Sequence, residues 1–355
     1  MLTGPVLSTG KKNLIVPFLM VSFASEKLNE GLSGYPTSDL KTPICIRPSL
    51  FLILLRISSM PELFWLLTET CASTTWAKPI NKNATINFTG GEPTIYKYFW
   101  NIVEHAKNRG FKLTLITNGS NSEAKDIQRY FDYFNSIKVS IDSLREDTNS
   151  LTRGKGSLFL AQTFIDVIIQ NGMKPTIMVV VSNYNKRYLY EINDKYKSSA
   201  MIRYQPMYNM GRGNQLVNIS IAAKEYYSIL KSENIERMKE DITYKRNMKY
   251  LWCGMGRNVL SIEANGDVYP CQLTHHENFK LGDLNNQSLE KIWINSPYRH
   301  HSVDMIEGCK ICELKHICSA PCRARAFYVL GSIYKKDPLC PDFIKNSIYD
   351  NLFEI

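Results

Sequence analysis

"NFTGGEP", Asn87 to Pro93, follows a short apolar run that begins at residue 85. An apolar run closed by a glycine pair and a proline reads as a strand, a turn and the start of a helix. Gly90 and Gly91 let a backbone approach a ligand closely, Glu92 offers a carboxylate, and Pro93 presets the next helical turn. Alone, this is a plain strand-to-helix turn. The fold is decided by the repetition of the pattern.

Working outward, residues 95–109 read as a helix with Tyr98, Phe99, Ile102, Val103 and Ala106 on one face. Residues 112–117 read as a strand ending at Asn118-Gly119. Residues 124–134 read as a helix with Ile127, Tyr130, Phe131 and Phe134 inward, and 136–141 as a strand. A helix over 158–171, stopped by Gly172, leads to a near-continuous apolar strand over 175–181 of the buried parallel kind. A helix over 188–197 and a strand over 201–207 follow. Five strands alternating with helices imply a parallel sheet with right-handed crossovers, and residues 49–57 offer one more strand in front. The class is α/β, as a partial barrel of six β/α units or an open sheet. In both, the loops after the strands form the active edge.

Three such loops carry chemistry: "NFTGGEP", "ITNGS" with Asn118, and "VSIDS" with Ser140 and Asp142. Together they suit a small polar ligand with amine, hydroxyl and carboxylate groups.

The C-terminal region is different. "CKICELKHICSAPC", Cys309 to Cys322, has the spacing C-x2-C-x5-C-x3-C. Cys253 and Cys271 precede it as C-x12-G-x4-C, around a hairpin with Gly266 in its turn, and Cys340 follows it. Zinc ribbons and disulfides are the other readings of crowded cysteines. Zinc usually takes paired C-x2-C elements, and one such pair is present. Iron–sulfur clusters take about four cysteines each, so seven thiolates suit two clusters, one short of a ligand.

Bulk properties agree with a soluble globular protein. The 355 residues are 44% hydrophobic and 21% charged, enough for two domains or for one barrel with an appendage. Lys and Arg exceed Asp and Glu by 43 to 33, giving +10, but they are scattered, so no nucleic-acid partner is expected. The apolar run 14–24 contains Pro17 and is too short to span a bilayer, so no membrane segment and no signal peptide are expected. An odd total of nine cysteines fits a reducing cytoplasm better than a disulfide framework.

The full cysteine pattern resembles the SPASM domain of radical S-adenosylmethionine (radical SAM) enzymes. "GGEP", "ITNG" and "VSIDS" resemble the SAM-binding loops of their partial (β/α)6 TIM-like barrel. The resemblance covers roughly residues 85–345. It implies an atypical segment over 1–84 that includes the first barrel strand, a barrel core over 85–215, a helical linker over 216–252, and a small Cys-rich iron–sulfur domain over 253–345. It further implies an outer 4Fe–4S cluster on Cys309, Cys312, Cys318 and Cys340, and an inner one on Cys253, Cys271 and Cys322. Many relatives add an inner ligand shortly after the first cysteine. Here Arg257, Asn258 and Val259 stand there, which implies an open iron.

In the barrel the resemblance implies SAM held by Gly90, Gly91 and Glu92 at its amino group. Ser140 and Asp142 would face its ribose or methionyl part, Asn118 would line the same edge, and Arg153 of "TRGKGS" would meet its carboxylate. The implied activity is oxidative modification of a ribosomally made peptide or protein through a 5′-deoxyadenosyl radical. The implied partners are that substrate and an electron donor such as flavodoxin or ferredoxin. The resemblance identifies no catalytic side chain, and the alternative is a non-catalytic peptide-binding or electron-transfer protein.

One departure is decisive for activity. The family's SAM-cleaving cluster needs C-x3-C-x2-C after the first barrel strand, near residues 58–70. "SSMPELFWLLTET" stands there, flanked by Cys45 and Cys71, and the motif occurs nowhere in the chain. Either the coding sequence is disrupted before residue 84 or the cluster has been lost.

Overall fold

A computed structural model describes residues 85–96, 98–121, 128–208, 225, 253–312, 315 and 322–340, with strand backbone alone over Phe18–Val21 and Leu52–Arg56. The expected helical linker over 216–252, apart from residue 225, the loop over 58–70, Cys45, Cys71 and Cys318 lie outside the described residues.

Five parallel strands form the centre: β3 (Thr85–Phe88), β4 (Lys112–Thr117), β5 (Ser136–Ser140), β6 (Thr176–Val181) and β7 (Met201–Pro206). Their alternation sets the layers. Ile86, Phe88, Leu113, Leu115, Ile137, Val139, Ile177 and Val179 are buried in the main core together with the helices. Those helices are α1 (Phe99–Asn108), α3 (Ser157–Gln170) and α4 (Leu189–Tyr196), which bury Phe99, Ile102, Phe164, Ile165, Leu189 and Ile192. Phe88 meets Phe99 edge-to-face at 5.2 Å, joining β3 to α1. Alternate strand positions, including Asn87, Thr114, Lys138, Ser140 and Arg203, face the other side.

Two elements differ from expectation. Only residues 128–134 of the segment expected as a helix over 124–134 are described, and Gln128–Tyr133 is a 3-10 helix. Tyr130 and Phe131 are buried in it as the pattern required. Asn135 exchanges hydrogen bonds with the backbone of Leu113, so the chain is drawn back to the sheet before a longer helix can form. Between β5 and α3 lies the short α2 (Glu146–Arg153), which has no apolar stripe and buries Thr148 and Asn149 instead.

Residues 49–57 do contain a strand, β2 (Leu52–Arg56), but it is not the neighbour of β3. The strand β1 (Phe18–Val21), from the apolar run 14–24, occupies that edge in antiparallel register, with Met20 opposite Asn87. The strand β2 therefore pairs one place further out, antiparallel to β1 and parallel to β8 (Val259–Ile262).

The hairpin of β8 and β9 (Asp267–Tyr269) and the short β10 (Gly282–Asp283) continue the same sheet, ordered β10-β9-β8-β2-β1-β3-β4-β5-β6-β7. Gly266 turns the hairpin at φ +94°, and a Cβ there would come within 2.7 Å of Asn285 Nδ2. Helices α5 (Leu289–Ile294) and α6 (Arg323–Leu330) complete the described C-terminal region. Among the described residues no helix is long and apolar enough to cross a membrane.

Candidate functional site

The loop after β3 is locked from within. Glu92, 4% exposed, caps the 3-10 turn Pro93–Ile95. Its Oε1 accepts from Thr94 Oγ1 at 2.6 Å and Thr117 Oγ1 at 2.7 Å, and its Oε2 accepts from Asn118 N at 2.7 Å. Burial raises its pKa, against these lowering hydrogen bonds. Glu92 thus ties the loop after β3 to the end of β4. Gly90, at φ +137°, and Gly91 lie partly exposed beside it, and only glycine readily adopts the first conformation. That open backbone suits a ligand's polar groups. Asn118 Oδ1 accepts from Ser120 N at 2.7 Å and shapes its own turn.

The loop after β5 is built likewise. Ser140 ends the strand, partly exposed. Asp142, 3% exposed, accepts from Arg153 Nε at 2.7 Å and Nη2 at 2.9 Å, from Thr152 Oγ1 at 2.6 Å and from Val180 N at 2.9 Å. Arg153 is therefore paired with Asp142 through a two-pronged fork. Sequence reasoning placed both on a ligand. It missed Thr94, Thr117 and Thr152, whose only signal was threonine next to strand and helix ends.

The cysteines gather in the C-terminal region. Cys253 and Cys271 pack on Met255, Tyr269, Phe279 and Ile333, and Cys253 also packs on Val303, Ile306 and Cys309. Gly256, at φ +63°, makes the turn after Cys253 possible, since a Cβ would stand 2.7 Å from Tyr298 Cβ. Cys322 caps α6, and its Sγ accepts from Arg325 N at 3.4 Å. Cys271 Sγ accepts from Leu273 N at 3.5 Å.

Cys253, Cys271 and Cys322 lie within electrostatic reach of one another, and none is in a disulfide. Burial pushes all three thiols up, Cys322 to about 11. Cys309 and Cys340 are buried and Cys312 is partly exposed.

Two buried guanidinium groups flank the three thiols. Arg323 is within reach of Cys253 and Arg325 within reach of Cys322. Nε and Nη2 of Arg323 and Nη1 of Arg325 have no acceptor among the described residues. Buried thiols together with buried cations lacking an acceptor fit a bound, sulfur-rich anionic group. Among the described residues no three His, Cys, Asp or Glu side chains gather as around a single metal ion. Sequence reasoning missed both arginines and Asp337. Their signals were Arg-Ala-Arg directly after Cys322 and Asp-Pro just before Cys340.

Comparison with known proteins covers both regions. The family model described as the radical SAM superfamily matches residues 75–195, and the SPASM model, an iron–sulfur cluster-binding domain, matches residues 253–322. The mycofactocin maturase MftC of Mycobacterium ulcerans is 26% identical over 280 residues, 72% of this chain and 74% of that protein. The one from Mycolicibacterium smegmatis is 25% identical over 274 residues, 72% and 70%. Among solved structures, native anSMEcpe with bound AdoMet superposes with TM-score 0.64 at 18% identity, covering 82% of this chain and 89% of that one. Streptococcus suis SuiB bound to the precursor peptide SuiA gives 0.52 at 17%, covering 80% and 70%. These structural likenesses show a shared fold.

Proposed function

Because the chain belongs to the radical SAM superfamily and carries an SPASM domain, we propose that it serves the oxidative modification of a ribosomally made peptide. The observation that carries this reading is the convergence of Cys253, Cys271 and Cys322 with Tyr208, which lies just past the end of β7. Relatives named mycofactocin maturase and a structural neighbour bound to a precursor peptide support the substrate class.

Where a SAM-cleaving cluster is present, SAM would supply a 5′-deoxyadenosyl radical for hydrogen abstraction. The chain's own residues bind and orient. Gly90 and Gly91 present backbone to the SAM amino group, while Glu92 holds their loop against β4. Ser140 faces the ribose or methionyl part, and Asp142 fixes Arg153 at the same edge. Cys253, Cys271 and Cys322 hold the inner auxiliary cluster, and Cys309, Cys312, Cys318 and Cys340 the outer one. An electron donor such as flavodoxin or ferredoxin completes the system.

No C-x3-C-x2-C is present in the chain, so the three thiolates that a SAM-cleaving cluster takes in this family are lacking. That fact favours a second reading, a cluster-bearing protein that binds peptide or carries electrons without cleaving SAM. Anaerobic reconstitution decides between them. The chain as written is expected to hold about eight irons and not about twelve, at about four per cluster. With dithionite and SAM it is expected to form no 5′-deoxyadenosine, whereas a version with the loop rebuilt as C-x3-C-x2-C regains it. Turnover by the unmodified chain overturns this assignment of ligands.

A further inference from the structure

Arg323 is a guanidinium buried to 1% exposure. Its Nη1 donates to the carbonyls of Ile333 at 2.8 Å and Lys335 at 2.6 Å, while Nε and Nη2 find no acceptor. No carboxylate pairs with it among the described residues. Arginine cannot shed its proton to relieve such burial. A buried, unpaired charge costs several kcal/mol, so this side chain calls for an anion.

Arg325, two residues along α6, is compensated. Its Nε donates to Asp337 Oδ1 at 2.6 Å and its Nη2 to Oδ2 at 2.7 Å, leaving Nη1 without an acceptor. Asp337 also accepts from Cys322 N at 2.8 Å, and its carbonyl accepts from Cys340 N at 2.7 Å. One buried carboxylate residue thus fixes Arg325, an inner ligand and an outer ligand together.

We propose that Arg323 and Arg325 are the positioning residues of the inner cluster. Their unsatisfied N–H groups donate to its sulfur and their charge favours its reduced state, with Asp337 moderating Arg325 alone. The inference rests on the cluster reading above. Hydrogen bonds and charge near the sulfurs are recognised levers on cluster potential. They are opposed by the thiolates' own negative charge, so two cations at this site mark the inner cluster as an electron acceptor.

The test is a redox titration followed by paramagnetic resonance on anaerobically purified full-length chain, with iron and sulfide counted. Arg323→Gln and Arg325→Gln should each shift the inner cluster's reduction equilibrium about tenfold toward the oxidised form, about 59 mV for one electron. Arg323→Lys, which keeps the positive charge, should leave most of the wild-type equilibrium in place. Asp337→Asn should move the equilibrium the opposite way, because Arg325 loses its counter-charge. If Arg323→Gln cannot be loaded, Arg323→Lys decides: restored loading supports the inference and lost loading overturns it. Unchanged potentials in fully loaded glutamine variants, or a shift of the same sign in Asp337→Asn, also overturn it. Wild-type protein without iron and sulfide overturns the cluster reading itself and this inference with it.

Discussion

Thr117 Oγ1 donates to Glu92 Oε1 at 2.7 Å and so joins the end of one barrel strand to the loop of the previous one. Three further donors, from Thr94 and Asn118, complete the same carboxylate. Replacing Glu92 with Ala leaves these groups buried without their acceptor, at a cost of about 1–3 kcal/mol. SAM affinity and unfolding midpoint should fall together. Thr117→Val should move both in the same direction by a smaller amount. Isothermal calorimetry and thermal denaturation read the two effects. Unchanged SAM affinity in a destabilised Glu92→Ala protein would reduce the loop to a structural turn.

Arg153 and Asp142 form the second lock. Arg153→Ala leaves a 3%-exposed carboxylate with only Thr152 and Val180 as donors. Breaking a buried pair costs about 3–5 kcal/mol, and the partial exposure of Arg153 brings this nearer 2–3 kcal/mol. Urea denaturation should show the loss. A change below 0.5 kcal/mol, roughly the surface-mutation range, would mean that the fork contributes little.

Lys138 sits mid-strand on β5, half-buried on the face away from the helices. Burial, and then the Arg203 guanidinium, pull its pKa from 10.5 down to about 8. The unfolded chain therefore keeps this proton between pH 8 and 10.5 while the folded chain releases it. Stability from this group rises with pH across that window. Lys138→Met should remove the rise and stabilise the protein at pH 7 by at most about 3 kcal/mol. Denaturation curves at pH 7, 9 and 10 of both proteins are the measurement. Parallel curves would show that Lys138 has found a counter-charge.

The two cysteine sets should separate by iron count. Cys271→Ala should remove the inner cluster and Cys312→Ala the outer, each at about four irons. Each should also destabilise the C-terminal region, since metal binding and folding are coupled. Brown anaerobic protein with acid-labile sulfide is the expected starting point. Colourless protein with stoichiometric zinc would refute the cluster assignment.

Much of this was legible in the chain itself. The alternation of Ile86, Phe88, Leu113, Leu115, Ile137 and Val139 identifies buried strands, because strand periodicity is a local property. The seven C-terminal cysteines stand in a spacing that resembles an iron–sulfur domain, and the SPASM match over residues 253–322 agrees with it. The helix over 146–153 was not legible, because it is held by Asn149, whose Oδ1 accepts from Asp142 N and Ser143 N, and not by an apolar stripe.

The sequence by itself determined the α/β class, the polar loops at the strand ends and the cysteine spacing of the C-terminal region. Tertiary structure alone decided that β1 separates β2 from β3, that Arg153 pairs with Asp142, and that Arg323 lies buried beside Cys253 with no carboxylate partner among the described residues. The reason is physical. Periodicity and motif chemistry are written within a few residues, whereas edge pairing and charge compensation depend on which distant segment arrives. Here the continuation of one sheet from β2 into β8 brings the cysteine hairpin onto the barrel's sheet.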